Sequence, residues 1–336
     1  MFSPTITSVT PHRAVEGGRV TLRGRGFPVD RLPQVSVGEQ DALVHFASSE
    51  RIVFSVPADL ESGPAPLRID NIPGETAFLT VAAPWATGLH QVDNPVFDRE
   101  GNLYVTYSGT RGQQVPVSIF RVRPNRTRET FSSGIVNPTS MAIDPQGRLY
   151  ASSRFEGTVY RVQQDGSSDV FATDLGVACG LAFAADGTLF VGDRSGTIFK
   201  VDPTGRAKTF ASLPASVAAF HLAIGPDSAL FVTGPTLAPY DPLYRIDAGG
   251  AVTPTAASFG RPQGLAFDPN GTLFVVEALA GSSGLYRVPP SGAPELVLAG
   301  PGLVGVAFDP AGILVVSTNE TAYRLPRPRL SAIGTV

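Results

Sequence analysis

The sequence predicts an all-β chain: a small β-sandwich followed by a six-bladed β-propeller. Three observations carry this. An aliphatic–aromatic–basic–aliphatic pattern occurs six times: IFRV at 119–122, VYRV at 159–162, IFKV at 198–201, LYRI at 243–246, LYRV at 285–288 and, more weakly, AYRL at 322–325. From Arg121 to Arg324 its mean spacing is about 41 residues, the period of propeller blades and solenoid units. A second motif precedes each copy, and residues 1–83 carry neither.

Residues 1–83 read as short strands over Ile6–Val9, Arg19–Leu22, Val35–Val37, Ile52–Val56, Leu67–Ile69 and Ala77–Val81. Apolar and polar residues alternate in them, with turn residues between. That is the signal of a small sandwich with one buried face per sheet. Gly24 and Gly26 sit where a side chain would clash or where the chain needs positive φ. The order Pro4, Ile6, Val9, Pro11, then Gly17-Gly18, Val20, Leu22, Gly24 and Gly26-Phe27, resembles the TIG/IPT family of immunoglobulin-like domains. Val56-Pro57 and the closing strand Phe78-Leu79-Thr80-Val81 fit the same pattern. The resemblance implies an immunoglobulin-like binding or spacer module without enzymatic chemistry of its own.

The second domain is expected over 84–336, with the repeat running from 85 to 326. Its second motif is clearest as GLAFDPNGTLFVV at 264–276. Counterparts are VFDREGNLYVT at 96–106, MAIDPQGRLYAS at 141–152, GLAFAADGTLFVG at 180–192, HLAIGPDSALFVT at 221–233 and GVAFDPAGILVVS at 305–317. This is a hairpin: an apolar innermost strand, a turn in which Pro presets φ and Gly supplies φ > 0, and an apolar return strand. The aromatic–basic strand is the third, and a short strand such as Asp169–Ala172 is the fourth. Four antiparallel strands repeated about an axis make propeller blades. Trp85-Ala86-Thr87-Gly88-Leu89 aligns without a gap on Phe131-Ser132-Ser133-Gly134-Ile135, the start of an outer strand. Residues 85–88 are therefore expected to complete the last blade, at 304–325, and so remove an exposed edge. The tail Arg327–Val336 is the alternative. Closure from the N-terminal side leaves only Ala82–Pro84 between the domains and restricts their orientation.

The hairpin motif with its following Tyr-Arg-Val resembles the NHL repeat and the senescence-marker-protein/gluconolactonase group of six-bladed propellers. Asp93-Asn94-Pro95-Val96-Phe97-Asp98 resembles the segment that supplies those lactonases with a ligand of their catalytic divalent metal. The resemblance implies that role, with Ca²⁺ or Zn²⁺, for Asp93. The positions matching Asp93 in the other blades are Thr139, Cys179, Phe220, Gln263 and Val304. A hard cation wants about 6–8 oxygen ligands, and this column offers one carboxylate, one amide and one hydroxyl. No cofactor is therefore expected, and Asp93 is read as held by backbone amides where its strand begins.

A second ring of positions ends each second strand: Tyr107, Ser153, Asp193, Gly234, Glu277 and Ser317. With Thr139, Cys179 and Gln263 these line the expected channel, and Asp193 and Glu277 offer it two acids. Cys179 and His221 fall at adjacent columns of neighbouring blades. Alternation turns such positions to opposite faces, which argues against a thiolate–imidazole pair. The loops 108–117 and 235–242 are the longest of their kind, and Arg111, Gln113, Gln114, Tyr240 and Asp241 are contact candidates there. The run Arg121, Arg123, Arg126 and Arg128 is read as a solvated turn followed by Glu129.

Composition excludes several classes. The net charge of −3 is not the footprint of a nucleic-acid binder. No apolar run reaches the length of a membrane helix, so membrane insertion is not expected. The start lacks the layout of a signal peptide, which predicts a cytoplasmic protein if Met1 is native and an exported one if a signal was trimmed. The single cysteine excludes a disulfide within the chain. No nucleophile elbow, phosphate loop or dinucleotide fingerprint is present. These readings favour a non-catalytic binding or scaffold protein that recognises a peptide, glycan or small ligand on the propeller face. The alternative is a metal-dependent, lactonase-like hydrolase using Asp93.

Overall fold

The computed structural model describes residues 5–69 and 77–326. Pro4 of the first motif and the tail 327–336 lie outside them. The sandwich consists of β1 (Thr5–Thr10), β2 (Arg13–Ala14), β3 (Arg19–Arg25), β4 (Val35–Val37), β5 (Gln40–Ala47), β6 (Arg51–Ser55), β7 (Gly63–Ile69) and β8 (Ala77–Val81). The ladder runs β1-β3-β6-β5-β4-β7-β8. Alternate residues point inward, so Val20, Leu22, Ile52, Phe54, Leu67 and Leu79 meet in one core. A Cβ on Gly24 would lie 2.1 Å from the Thr5 carbonyl oxygen, so close approach demands glycine there. Gly26 instead takes φ 71°. Two strands go beyond the sequence expectation: β2 is two residues long, and β5 leaves Leu43 and Phe46 exposed, so neither shows clean alternation.

The chain then enters β9 (Ala83–Thr87) and the repeats. The first repeat folds as β10 (Val96–Phe97), β11 (Leu103–Thr106), β12 (Ile119–Val122) and β13 (Arg128–Ser132). The second gives β14 (Pro138–Ile143), β15 (Leu149–Ser153), β16 (Thr158–Val162) and β17 (Ser168–Ala172). The third gives β18 (Ala178–Phe183), β19 (Leu189–Asp193), β20 (Thr197–Val201) and β21 (Ala207–Ser212). The fourth gives β22 (His221–Ile224), β23 (Leu230–Thr233), β24 (Asp241–Ile246) and β25 (Val252–Phe259). The fifth gives β26 (Pro262–Phe267), β27 (Leu273–Glu277), β28 (Gly284–Val288) and β29 (Glu295–Ala299). The last gives β30 (Leu303–Phe308), β31 (Leu314–Thr318) and β32 (Thr321–Arg324). Each innermost strand touches the next, from β10 through β14, β18, β22, β26 and β30 back to β10, so the sheets close a β-propeller.

The expectation of six separate blades needs correction: five four-stranded sheets stand alone. The strands of the fifth repeat do not. Their outer strand β29 pairs in parallel with β2, and β2 pairs in parallel with β8, giving one twelve-stranded sheet shared with the sandwich. The physical reason is the open edge of β29, whose Ala299 carbonyl accepts the Val15 N–H at 3.0 Å. Val15 and Ala82 are buried in the propeller among Leu298, Leu303 and Tyr323. Gly18 lies so close that a Cβ would be 2.4 Å from the Ala299 oxygen.

The last sheet runs β30-β31-β32-β9, with Ala86 opposite Ala322. Trp85 stacks on Phe97 at 5.9 Å, and the Arg324 guanidinium lies over its ring, 5.0 Å from the ring centre. The repeated turns follow their chemistry. Asp144 Oδ1 accepts the Gln146 and Arg148 amides, and Gly147 takes φ 84°. Asp268 and Asp309 hold the same turn. The basic residue of the strand motif finds an acid directly opposite in three repeats: Arg121 with Glu129, Arg161 with Asp169 and Arg287 with Glu295.

Candidate functional site

The first residues of the innermost strands and the loops beside them converge on the propeller axis. They enclose a cavity of about 290 Å³. Every repeat contributes: Gln91 and Val92, Thr139 and Arg154, Val177, Cys179 and Arg194, Val217 to Ala219, Gln263, then Val304 and Asn319. The lining thus contains three of the residues the sequence singled out, Thr139, Cys179 and Gln263. It contains two arginines that the sequence gave no reason to mark, because each simply follows the end of a second strand. No carboxylate lines it.

Beneath this mouth Asp93 and His221 meet, Oδ1 to Nδ1 at 2.5 Å, both buried. Asp93 Oδ1 also accepts the Asn94 amide at 2.7 Å. A carboxylate oxygen accepts, so Nδ1 carries a hydrogen and donates it to Asp93. Nε2 is buried and has no partner among the described residues. The expectation that backbone amides alone hold Asp93 is corrected: one amide does, and an imidazole from the fourth repeat does the rest. The signal for His221 was in the motif register. In its column stand Asn94, Ser140, Gly180, His221, Gly264 and Gly305, so a histidine replaces a residue that is small elsewhere. The glycines let neighbouring strands close in. A Cβ on Gly305 would lie 2.6 Å from the Asp93 carbonyl oxygen, and one on Gly264 would lie 2.1 Å from Asn94 Oδ1. Asn94 stitches the inner strands, donating to the Leu265 carbonyl at 2.8 Å and accepting the Val306 amide at 2.9 Å.

Gln91 braces the same segment, donating to the Asp93 carbonyl at 2.6 Å and accepting the Thr106 amide at 2.8 Å. Phe220, the matching residue of the fourth repeat, is buried in packing with Leu222 and Val232. Burial, with Asp93 second, pushes the Cys179 thiol up to about 12, so it is neutral near pH 7; Arg154 and Arg194 act in the opposite direction. His90 is lowered by burial first and by the charge of Arg154 second.

The second ring does not offer the channel two free acids, and that expectation is corrected. Asp193 Oδ1 accepts the Val177 and Ser195 amides at 2.8 and 3.2 Å, and its other oxygen accepts the Ser195 hydroxyl. Glu277 accepts three amides, from Gly260, Arg261 and Leu279. Both carboxylates tie loops to strand ends. Ser153 donates to the Val136 carbonyl at 2.5 Å, and Tyr107 packs against the rings of His90 and Phe120.

The long loops are anchored too. Asn137, unmarked by the sequence, donates to the Ser108 and Thr110 carbonyls and accepts the Gly112 amide. Gln113 accepts from Thr110, leaving Arg111 and Gln114 exposed at the tip. Asp241 is buried and holds Thr236, while Tyr240 stays exposed. In the arginine run, Arg121 and Arg123 pair with Glu129, and Arg128 donates to the Thr87 and Gly88 carbonyls.

The donor set does not fit a catalytic cation. Among the described residues no group of three or more His, Cys, Asp or Glu side chains is placed to hold one. Asp93 is already engaged, and its column neighbours are a hydroxyl, a protonated thiol, an amide and two apolar side chains.

Comparisons with known proteins agree with the fold. An auxiliary nutrient binding protein from Bacteroides ovatus is similar at 12% identity and TM-score 0.57, covering 97% of this chain and 98% of that one. A protein assigned as a gluconolactonase is similar at 17% identity and TM-score 0.60, covering 72% of this chain and 90% of that one. Virginiamycin B lyase from Staphylococcus aureus is similar at 14% identity and TM-score 0.52, covering 92% and 99%. At these identities the likeness establishes the fold alone. No curated protein matches the chain. Residues 4–80 match the family model described as the IPT/TIG domain, so the chain joins a domain of that kind to a β-propeller.

Proposed function

We propose that this protein is a non-catalytic binding protein that takes a small ligand, or one end of a peptide or glycan, in the axial cavity. One observation carries the reading: the apolar side chains exposed on the propeller lie almost all on loops of one face, the face where that cavity opens, and one of them, Val217, lines it. Phe155, Val217, Leu237, Tyr240 and Leu279 all sit in loops of the face where the cavity opens. Among the described residues of the propeller, Val170 is the one large exposed apolar side chain elsewhere. Exposed apolar surface on the face that carries a concave pocket with a few polar donors is the make-up of a ligand site. Below it Asp93 is hydrogen-bonded and the Cys179 thiol is protonated, which leaves His221 Nε2 as the reactive atom without a partner among the described residues. Likeness to nutrient binding proteins of nearly the same length supports the same reading.

The test is ligand-observed NMR with a fragment panel against the intact chain and Ala218→Trp, which fills the cavity. Binding that vanishes in the variant is expected. Binding that persists there unchanged places the site elsewhere and ends the proposal. The competing reading is lactone hydrolysis with a divalent cation on Asp93, supported by likeness to the protein assigned as a gluconolactonase. Calorimetric titration with Ca²⁺, Zn²⁺ and Mn²⁺ separates the two. Tight binding that is lost in Asp93→Ala, with lactone turnover, would replace the binding reading by the hydrolase.

A further inference from the structure

We propose that the axial cavity selects ligands bearing a carboxylate, held between Arg154 and Arg194. The inference rests on the binding reading above and names the chemical class it takes.

The two arginines are equivalent by register. Each follows directly on the last residue of a second strand, Ser153 in the second repeat and Asp193 in the third. Their backbones are pinned alike: the Arg154 amide donates to the Asn137 carbonyl at 3.4 Å and the Arg194 amide to the Val177 carbonyl at 3.1 Å. Two guanidiniums thus stand on adjacent sheets beside one cavity. Elsewhere in the propeller, Arg121, Arg148, Arg161, Arg245, Arg287 and Arg324 face acids. The side chains of Arg154 and Arg194 find neither an acid nor a carbonyl among the described residues. Asp193, next to Arg194 in the chain, is turned toward the 175–177 loop; a Cβ on Gly176 would lie 2.6 Å from its carboxyl carbon.

The remaining polar lining sorts the same way. Gln91, Thr139 and Asn319 already hydrogen-bond within the protein. The Gln263 side chain does not. The unengaged polar groups of the cavity are therefore two guanidiniums and one amide, which together present donors in excess. Guanidiniums bind carboxylates through paired, charge-assisted hydrogen bonds, which are stronger where the local dielectric is low. The other walls are Val92, Val177, Val217 and Val304, which suit an apolar body behind the acid group. Both arginines also reach inward electrostatically, since their charges are felt at Cys179 and that of Arg154 at His90.

The experiment uses the full chain and matched pairs: phenylacetate with phenylacetamide, and 4-methylvalerate with its amide. Inorganic phosphate and sulfate serve as bare anions. Affinity is read by ligand-observed NMR and calorimetry at low and high salt. The acids are expected to bind on the order of tenfold or more tighter than their amides, with the gap narrowing as salt rises. Arg154→Gln and Arg194→Gln each shrink that gap, and the double variant closes it, while Ala218→Trp abolishes binding of every probe. Neither arginine side chain has a hydrogen-bond or ion-pair partner among the described residues, so these variants are expected to keep their fold, which thermal unfolding verifies. Equal binding of acids and amides, blocked by Ala218→Trp, overturns the carboxylate inference and leaves the binding site standing. Phosphate or sulfate binding without the organic acids also overturns it. Absence of binding by every probe at millimolar concentration overturns both.

Discussion

Asp93 and His221 come from the first and fourth repeats and meet across the axis at 2.5 Å. Burying a carboxylate is tolerable only when it is paired and hydrogen-bonded, and here an amide and an imidazole do both. The pair acts as a cross-brace under the cavity. Replacing His221 by Leu strands the acid and is expected to cost on the order of 3–5 kcal/mol in urea unfolding. Asp93→Asn with His221→Leu should cost less than the two single losses combined, because the second change removes a group already orphaned. Additive losses would show that the two side chains are held independently. Asp93 was legible in the sequence through its segment, but its partner was not. Pairing across a ring joins residues 128 positions apart, and motif spacing reports the register along each blade rather than distances across the centre. A histidine in a column otherwise of glycine, serine and asparagine was the available sign.

At the level of elements, the outer strand β9 shows how far periodicity reaches. Its alignment with Phe131-Ser132-Ser133-Gly134 rests on sequence alone, and in the structure β9 lies against β32. Trp85 is 7% exposed and packs against Phe97 and the Arg324 guanidinium. Trp85→Ala is expected to cost about 3–5 kcal/mol by denaturant unfolding, whereas exposed Phe155→Ala should stay within about 0.5 kcal/mol. A small effect at Trp85 would mean that the ring does not depend on this strand for closure. The strands that sequence missed, β2 and β5, lack the signal for physical reasons. Two residues carry no period, and a strand that is half exposed on both faces does not alternate.

For the molecule as a whole, the boundary between domains is where the repeat count and the structure part. The sequence distinguishes two units by their motifs, but pairing between β2 and β29 is backbone chemistry that no side-chain pattern announces. Gly17-Gly18, read as part of the sandwich motif, also serves the junction, because any side chain at Gly18 would strike Ala299. Tyr323 adds a hydrogen bond to Glu16 at 2.7 Å. The two units should therefore unfold together. Deleting residues 1–81 bares the β29 edge and the apolar surface that Val15 covers. Such an edge pairs with other chains, so concentration-dependent association is expected in sedimentation velocity. A truncated chain that stays monomeric and keeps the parent's melting temperature would refute this.

The position of β9 also sets a timetable. It leaves the ribosome directly after the sandwich, yet its partner β32 is about 240 residues further on. At roughly 5–20 residues per second, the closing strand waits on the order of 10–50 s for the sheet it completes. During that wait its tryptophan can pack on Phe97 and the first repeat, but the strand has no partner on its β32 side. The sandwich can also offer β2 to β29 before the last repeat exists, holding the growing arc in place. The strand that locks the ring is among the first of its parts to be made and the last to find its place.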